Sequence, residues 1–343
     1  MAPPSVASPE LGFYALAGAP DSPRAILDEV RGAEAMGLGT AFISERFDIK
    51  EAATLSGAAA AVSSTIRIAT AATNQTTRHP IVTASYATTM HRLSGGRFSL
   101  GLGRGIEVMF QAYGIPKITT KSMEEFAGLM RRLWKGETVF GFGSYPVLRL
   151  DASFDEDIPL TLVAFGPDTL ALGGRVFDDV VLHTYFTDET TARAVGIVKR
   201  AAEEAGRDPA SVKVWSCFAT VGDHLPEPLR LKKTVGRLAT YLQAYGDLLV
   251  RTNGWDPAVL TAFREDPVVG AMRGSIDGVA TTEQLEHIAG LLPDEWLAPS
   301  ATGSATACAE AVRGQLALGC DAVILHGATP EQLAPIVGAY RAV

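Results

Sequence analysis

The sequence predicts an α/β chain closed into a (β/α)8 TIM barrel, with a helical insertion between strands 7 and 8. Three observations carry that expectation. Eight short apolar runs recur along the chain, at residues 12–17, 40–44, 66–72, 97–102, 160–164, 179–183, 213–219 and 322–326. Most are continuously apolar rather than alternating, as parallel strands covered on both faces require. Longer amphipathic stretches separate them in a βα rhythm. A doubly wound open sheet has the same periodicity and stays open as the alternative.

The helices have start and stop signals. Ser22 and Pro23 precede Ile26, Leu27, Val30 and Ala33, with Gly37 at the far end, which reads as N-cap, first turn and C-cap. Ser122 and Glu125 have capping-box spacing ahead of Phe126, Leu129 and Leu133. Further helices are expected at 51–64, 79–93, 167–175, 189–205, 304–318 and 331–341. Two regions break the rhythm: 137–157 reads as a Gly-rich hairpin, and 224–296 as the insertion, with helices near 229–250, 257–265 and 282–291. Residues 1–343 otherwise read as one domain.

Composition narrows the function. Of 343 residues, 47% are hydrophobic, enough for a large core. The formal charge of −8 is spread along the chain, which argues against a nucleic-acid partner. The three cysteines, Cys217, Cys308 and Cys320, form no CxxC pair; this disfavours a zinc site or disulfide framework and fits a reducing cytoplasm. The first ten residues lack the pattern of a signal peptide, and no apolar stretch approaches the ~20 residues of a membrane span. A cytoplasmic enzyme acting on a small organic molecule is expected.

In a TIM barrel the chemistry sits at the C-terminal ends of the strands. Strand 2 ends in Ser44-Glu45-Arg46, where a carboxylate can accept a hydrogen bond from a ring N–H or serve as general base. Strand 3 ends in Thr73-Asn74, and strand 4 in the glycine-dense turn Gly103-Arg104-Gly105, which would let backbone approach a flat ligand. Strand 5 ends in Ala164-Phe165-Gly166-Pro167, whose helix start offers free amides to a phosphate. His183 ends strand 6 and is a candidate proton donor; His79 and His326 are weaker candidates, and His224 reads as a surface residue. No GxSxG elbow or HxxxH metal spacing is present.

At these positions the chain resembles the luciferase-like monooxygenase superfamily, in its coenzyme F420-dependent branch. The run from Thr73-Asn74 to His79-Pro80, and Leu93-Ser94-Gly95-Gly96-Arg97-Phe98 leading into Gly101-Leu102-Gly103-Arg104-Gly105, carry the resemblance. It implies a deazaflavin ring across the barrel mouth, backed by a bulge after strand 3 with a non-prolyl cis peptide at or beside Thr73-Asn74. It implies Gly103-Arg104-Gly105 beside the ring or ribityl chain and Ala164–Pro167 around the phosphate. Glu45 and His183 become the catalytic candidates, FMN the alternative cofactor, and a homodimer pairing through first-half helices, with the alanines at 58–61 as a close-packing face, the expected assembly. Deazaflavin-using relatives often carry an Asp-His pair after strand 2; this chain has Glu45-Arg46, and a permanently protonated arginine cannot replace that histidine. An FMN-dependent monooxygenase and a non-catalytic cofactor-binding barrel therefore remain as alternatives.

Overall fold

Eight parallel strands close on one another in the computed structural model, which describes residues 7–18, 20–47 and 50–342. They are β1 (Ser8–Tyr14), β2 (Leu38–Ile43), β3 (Arg67–Thr70), β4 (Phe98–Leu102), β5 (Leu160–Val163), β6 (Asp179–Val181), β7 (Lys213–Gly222) and β8 (Ala322–His326). Each pairs with the next, and β8 returns to β1 through Leu11–Val323, Gly12–Ile324 and Phe13–Leu325. The ring is closed, which excludes the open sheet. Every residue of β2, β4 and β8 is buried, as the apolar runs require.

Inside the ring, Phe42 and Trp215 meet edge to face at 4.9 Å, and Ala69, Ala71, Val181 and Ile324 fill the space around them. Near the strand starts, Asp179 accepts from Trp215 Nε1 (2.8 Å) and Arg67 Nη2 (3.0 Å). That buried carboxylate ties β3, β6 and β7 together at the end remote from the mouth.

The helices outside are α1 (Ile26–Ala35), α2 (Ala52–Ala61), α3 (Pro80–Leu93), α4 (Thr120–Trp134), α5 (Pro167–Val176), α6 (Asp188–Glu204), α7 (Ala305–Ala317) and α8 (Pro330–Arg341). Ser22 caps a short 3-10 turn, Pro23–Ala25, that runs into α1. The expected cap of α4 lies three residues too late: Thr119 is the N-cap, and Ser122 is the return partner of its capping box. A threonine followed by a polar residue at the third helical position satisfies both orphan amides, which Ser122 alone could not do. Of the alanines at 58–61, Ala59 and Ala60 are buried within the chain's own fold.

Val139–Phe142 and Tyr145–Leu148 form the expected hairpin. β7 runs three residues past its predicted end because a short strand, Ser300–Gly303, pairs with Ala219–Gly222. Between them lies the insertion. The single helix expected at 229–250 is two, Glu227–Lys233 and Val235–Asn253, broken at Thr234 (φ −108°, ψ −80°). Four-residue to nine-residue helices follow, and Trp255 stacks on Trp296 at 4.6 Å and 10°. The three cysteines are unbonded and buried. Among the described residues no helix is long and apolar enough to cross a membrane, and no group of three acidic, His or Cys side chains could hold a metal. Residues 1–6, Ala19, Asp48, Ile49 and Val343, including most of the Pro- and Ser-rich start, lie outside the described residues.

Candidate active site

The floor of the site is a hydrogen-bonded bulge between β2, β3 and β4. The non-prolyl cis peptide joins Ala71 to Ala72, two residues before its expected place. Thr73 is engaged elsewhere: its N–H donates to Gly101 O (3.0 Å) and its carbonyl accepts from Gly103 N (2.9 Å), so it continues the ladder with β4. The Ala72 carbonyl accepts from Glu45 N (3.2 Å). Gly103 packs directly on this bulge, since a methyl there would stand 2.9 Å from Ala72 Cβ.

The Glu45 carboxylate is buried and fully engaged. Thr73 Oγ1 donates to it at 2.6 Å, and Arg78 forms an ion pair with it. Arg78 Nη1 also donates to Thr73 Oγ1 (2.8 Å), and its other branch reaches Glu51 at the start of α2. Glu45, Thr73 and Arg78 thus form a closed triad behind the bulge. Ser44 is half-buried at the exit of β2, and Arg46 Nη1 donates to Gly18 O (2.9 Å) after β1. Asn74 turns its side chain back to accept from the amides of Thr76 and Thr77 (3.0 Å each), shaping the loop. His79 likewise caps α3 by accepting from Ile81 N. Arg104 is exposed and bonded to Thr120, and Gly105 turns (φ 70°) beneath the Phe110 ring.

On the neighbouring strand end, after β5, Ala164 is buried and Gly166 is the N-cap of the ten-residue α5, with no side chain capping it. Pro167 fills the first helical position, and a methyl on Gly166 would meet nothing within 4 Å. An uncapped helix start open to space suits a phosphate. The Phe165 ring lies 4.5 Å from that of His183.

A roof covers this side. The Val235–Asn253 helix is held at both ends by Tyr185, whose hydroxyl donates to Thr234 O (2.9 Å) and whose carbonyl accepts from Asn253 Nδ2 (2.8 Å). One face of the roof helix, spaced i, i+4, i+8, projects Arg237, Tyr241 and Tyr245. Tyr245 leaves helical geometry (φ −156°, ψ 36°), and its hydroxyl meets His183 Nε2 at 2.8 Å. His183 Nδ1 lies 2.7 Å from the Thr184 carbonyl. A carbonyl only accepts, so Nδ1 carries the proton, Nε2 is the acceptor, and Tyr245 donates to it. Tyr241 stacks on Tyr245 (5.6 Å) and approaches His326, whose ring meets Tyr14 edge to face at 5.3 Å. His224 lies outside this cluster and bonds the Gln332 carbonyl. A cleft of about 430 Å³ between Gln75, Ser122, Phe126 and Phe142 lies beside the hairpin, away from these groups.

Burial holds His183 neutral, with a pKa lowered to about 4 despite the Thr184 carbonyl, and pushes His326 down as well, helped by Arg237. An unfolded histidine takes its proton near pH 6.5. Between that value and 4 the unfolded chain binds more protons, so stability falls as pH falls. Melting at pH 7, 6 and 5 should show this loss, and His183→Asn should reduce its slope; an unchanged slope would contradict the assignment.

Residues 5–321 match the family described as luciferase-like monooxygenase. The chain belongs to the luciferase-like monooxygenase family. A 5,10-methylenetetrahydromethanopterin reductase of Methanolobus tindarius is 27% identical over 267 residues, covering 74% of this chain and 78% of that one. The coenzyme F420-dependent tetrahydromethanopterin reductase of Methanopyrus kandleri superposes with a TM-score of 0.79 at 20% identity, over 97% of this chain and 98% of the other. An F420-dependent secondary alcohol dehydrogenase, solved with an F420-acetone adduct, gives 0.72 at 17%, over 97% and 98%.

In this luciferase-like chain, the structure gathers Glu45, Thr73, Gly103, Phe165, Gly166 and His183 at one end of the barrel. It turns Asn74 and Arg104 to local bonds. Tyr14 and Arg78 lie in the strand-end segments 14–18 and 73–80 that the sequence marks, though it assigns them no role; Arg237, Tyr241 and Tyr245 it does not mark at all. The Arg-x3-Tyr-x3-Tyr spacing of the roof was visible, but nothing in it said which face turns inward.

Proposed function

We propose that the chain is a coenzyme F420-dependent oxidoreductase that moves a hydride between the cofactor and the carbon of a small alcohol or carbonyl compound. The observation that carries this reading is the open, uncapped start of α5 at Gly166, placed beside the Phe165–His183 pair and one strand over from the glycine-backed bulge. That arrangement offers a flat surface at one end and an anion site at the other, and these residues fit a ribityl-phosphate-linked ring. The names of the relatives favour the deazaflavin. When bound, F420 supplies a two-electron hydride acceptor or donor at C5.

The chain supplies position and a proton path. Gly103 and the Ala71–Ala72 bulge form the floor, with Ser44, Arg46 and the Gly103-Arg104-Gly105 turn at its rim. Ala164–Pro167 receive the phosphate. Glu45 holds the floor rigid through Thr73 and Arg78, because both of its oxygens are already bonded. His183 acts through Tyr245. In alcohol oxidation the substrate hydroxyl gives its proton to the Tyr245 oxygen as Tyr245 passes its own to His183 Nε2, while the hydride leaves the carbon; the neutral imidazole that burial enforces is the form this direction needs. The aromatic roof keeps water from the reacting carbon.

Titration of the purified chain with F420 and with FMN, followed by ring fluorescence, tests the cofactor. F420 binding and loss of its oxidised absorbance on adding secondary alcohols are expected. Tight FMN binding with none of F420 would overturn the reading in favour of a flavin monooxygenase.

A further inference from the structure

Two polar atoms under the roof are buried with no hydrogen-bond partner: Arg237 Nε and His326 Nδ1. Both belong to side chains grouped around Tyr241, with the Arg237 guanidinium 5.8 Å and the His326 ring 6.5 Å from its ring centroid. An unpaired buried N–H is costly to leave unmade, so a site that keeps one is shaped for an acceptor that arrives with a ligand.

We propose that Arg237, with His326 beside it, is a second substrate subsite that binds an uncharged oxygen far from the reacting carbon. This inference rests on the oxidoreductase reading for the location of the reacting carbon, at Tyr245 and His183. The Arg237 guanidinium stands 5.8 Å from the Tyr241 ring centroid, and the Tyr245 ring 5.6 Å from it. The ring of Tyr241 lies between them, so the substrate is elongated, apolar in the middle and oxygenated at both ends.

The oxygen at Arg237 is a ketone, ester or ether oxygen rather than a carboxylate. The guanidinium charge is already matched: Asp277 pairs with Arg237 Nη2 at 2.7 Å, and the other oxygen of Asp277 accepts from Thr240 Oγ1 at 2.9 Å. The neighbouring charges are tied to backbone. Lys233 bonds the Gly327 carbonyl, Lys50 the Leu16 carbonyl (2.8 Å), and Glu29 accepts from Leu16 N (2.7 Å). The Nε–H of Arg237 is then a buried donor with nothing to bond.

The test uses three probes that differ only at the end remote from a secondary alcohol: 2-undecanol, 10-hydroxy-2-undecanone and 10-hydroxyundecanoate. Each is titrated calorimetrically into the full-length protein. The ketone is expected to bind about tenfold more tightly than the plain alcohol, as a hydrogen bond to a charged donor allows. Arg237→Lys keeps a cation for Asp277 and lacks the N–H, so it should fold and lose that tenfold gain while binding 2-undecanol as before. Arg237→Met with Asp277→Asn should do the same without leaving an unpaired charge. A carboxylate probe that outbinds the ketone, or a ketone gain that survives Arg237→Lys, would overturn the subsite. Probe binding of the expected pattern without F420 turnover would support the subsite and count against the oxidoreductase reading alone.

Discussion

Replacing Arg78 by methionine is expected to cost about 3–5 kcal/mol of folding stability, the range for removing one partner of a buried ion pair. Glu45 has only 4% of its side chain exposed, against 16% for Arg78, so the carboxylate left behind cannot recover its hydration. Thr73 also loses the donor that fixes its hydroxyl. The contact with the half-exposed Glu51 adds little. The double variant Arg78→Met with Glu45→Gln removes the stranded charge and should regain much of the loss. Urea unfolding of the single and double variants measures both; a loss below about 1 kcal/mol in Arg78→Met would contradict the triad. Cofactor affinity should fall with the single variant, because the floor of the ring site loses its backing.

The second large effect is at Gly101. A methyl group there would lie 1.6 Å from the Thr70 carbonyl oxygen and 2.7 Å from its carbon. Both are backbone, and Thr70 is further locked to Gly101 by its hydroxyl, which donates to Gly101 O (2.9 Å) and accepts from Gly101 N (2.7 Å). No side-chain rotation relieves the clash, so β3 and β4 would have to part. Gly101→Ala should exceed the upper end of ordinary overpacking, about 3 kcal/mol, and give little soluble protein. Gly166→Ala is the contrast: with open space around it and φ −90°, it should melt like the wild type. Soluble yield and circular dichroism melting decide, and a wild-type melt for Gly101→Ala would refute the packing.

The barrel was legible because its signal is local. A strand such as β2, with Leu38, Ala41, Phe42 and Ile43 in sequence, shows double burial in six residues, and the helix patterns follow the same logic. The strand ends that face the mouth followed from the barrel. What was not legible depends on distant partners. The pairing of Thr73 with Gly101 joins residues on either side of the intervening α3. Arg78 looks like any loop arginine until Glu45 is brought against it. The same holds for Glu45: a carboxylate at a strand end is a candidate base, and only the fold shows its bonds to Thr73 and Arg78, which support the bracing role proposed above. The roof was the least legible, since only the placement of the insertion shows that Arg237, Tyr241 and Tyr245 turn toward His183 and His326.

The stack of Trp255 on Trp296 has a consequence for how such a protein can diversify. The forty residues between the two rings leave and return at nearly one point, so their ordering cost is met locally and grows only slowly with length. That stretch carries Asp277, the counter-charge of Arg237. Lengthening, shortening or exchanging it would change the partner of Arg237 in the proposed subsite while β1–β8 stay in place, so the pair of tryptophans is a seam at which one part can vary without the other.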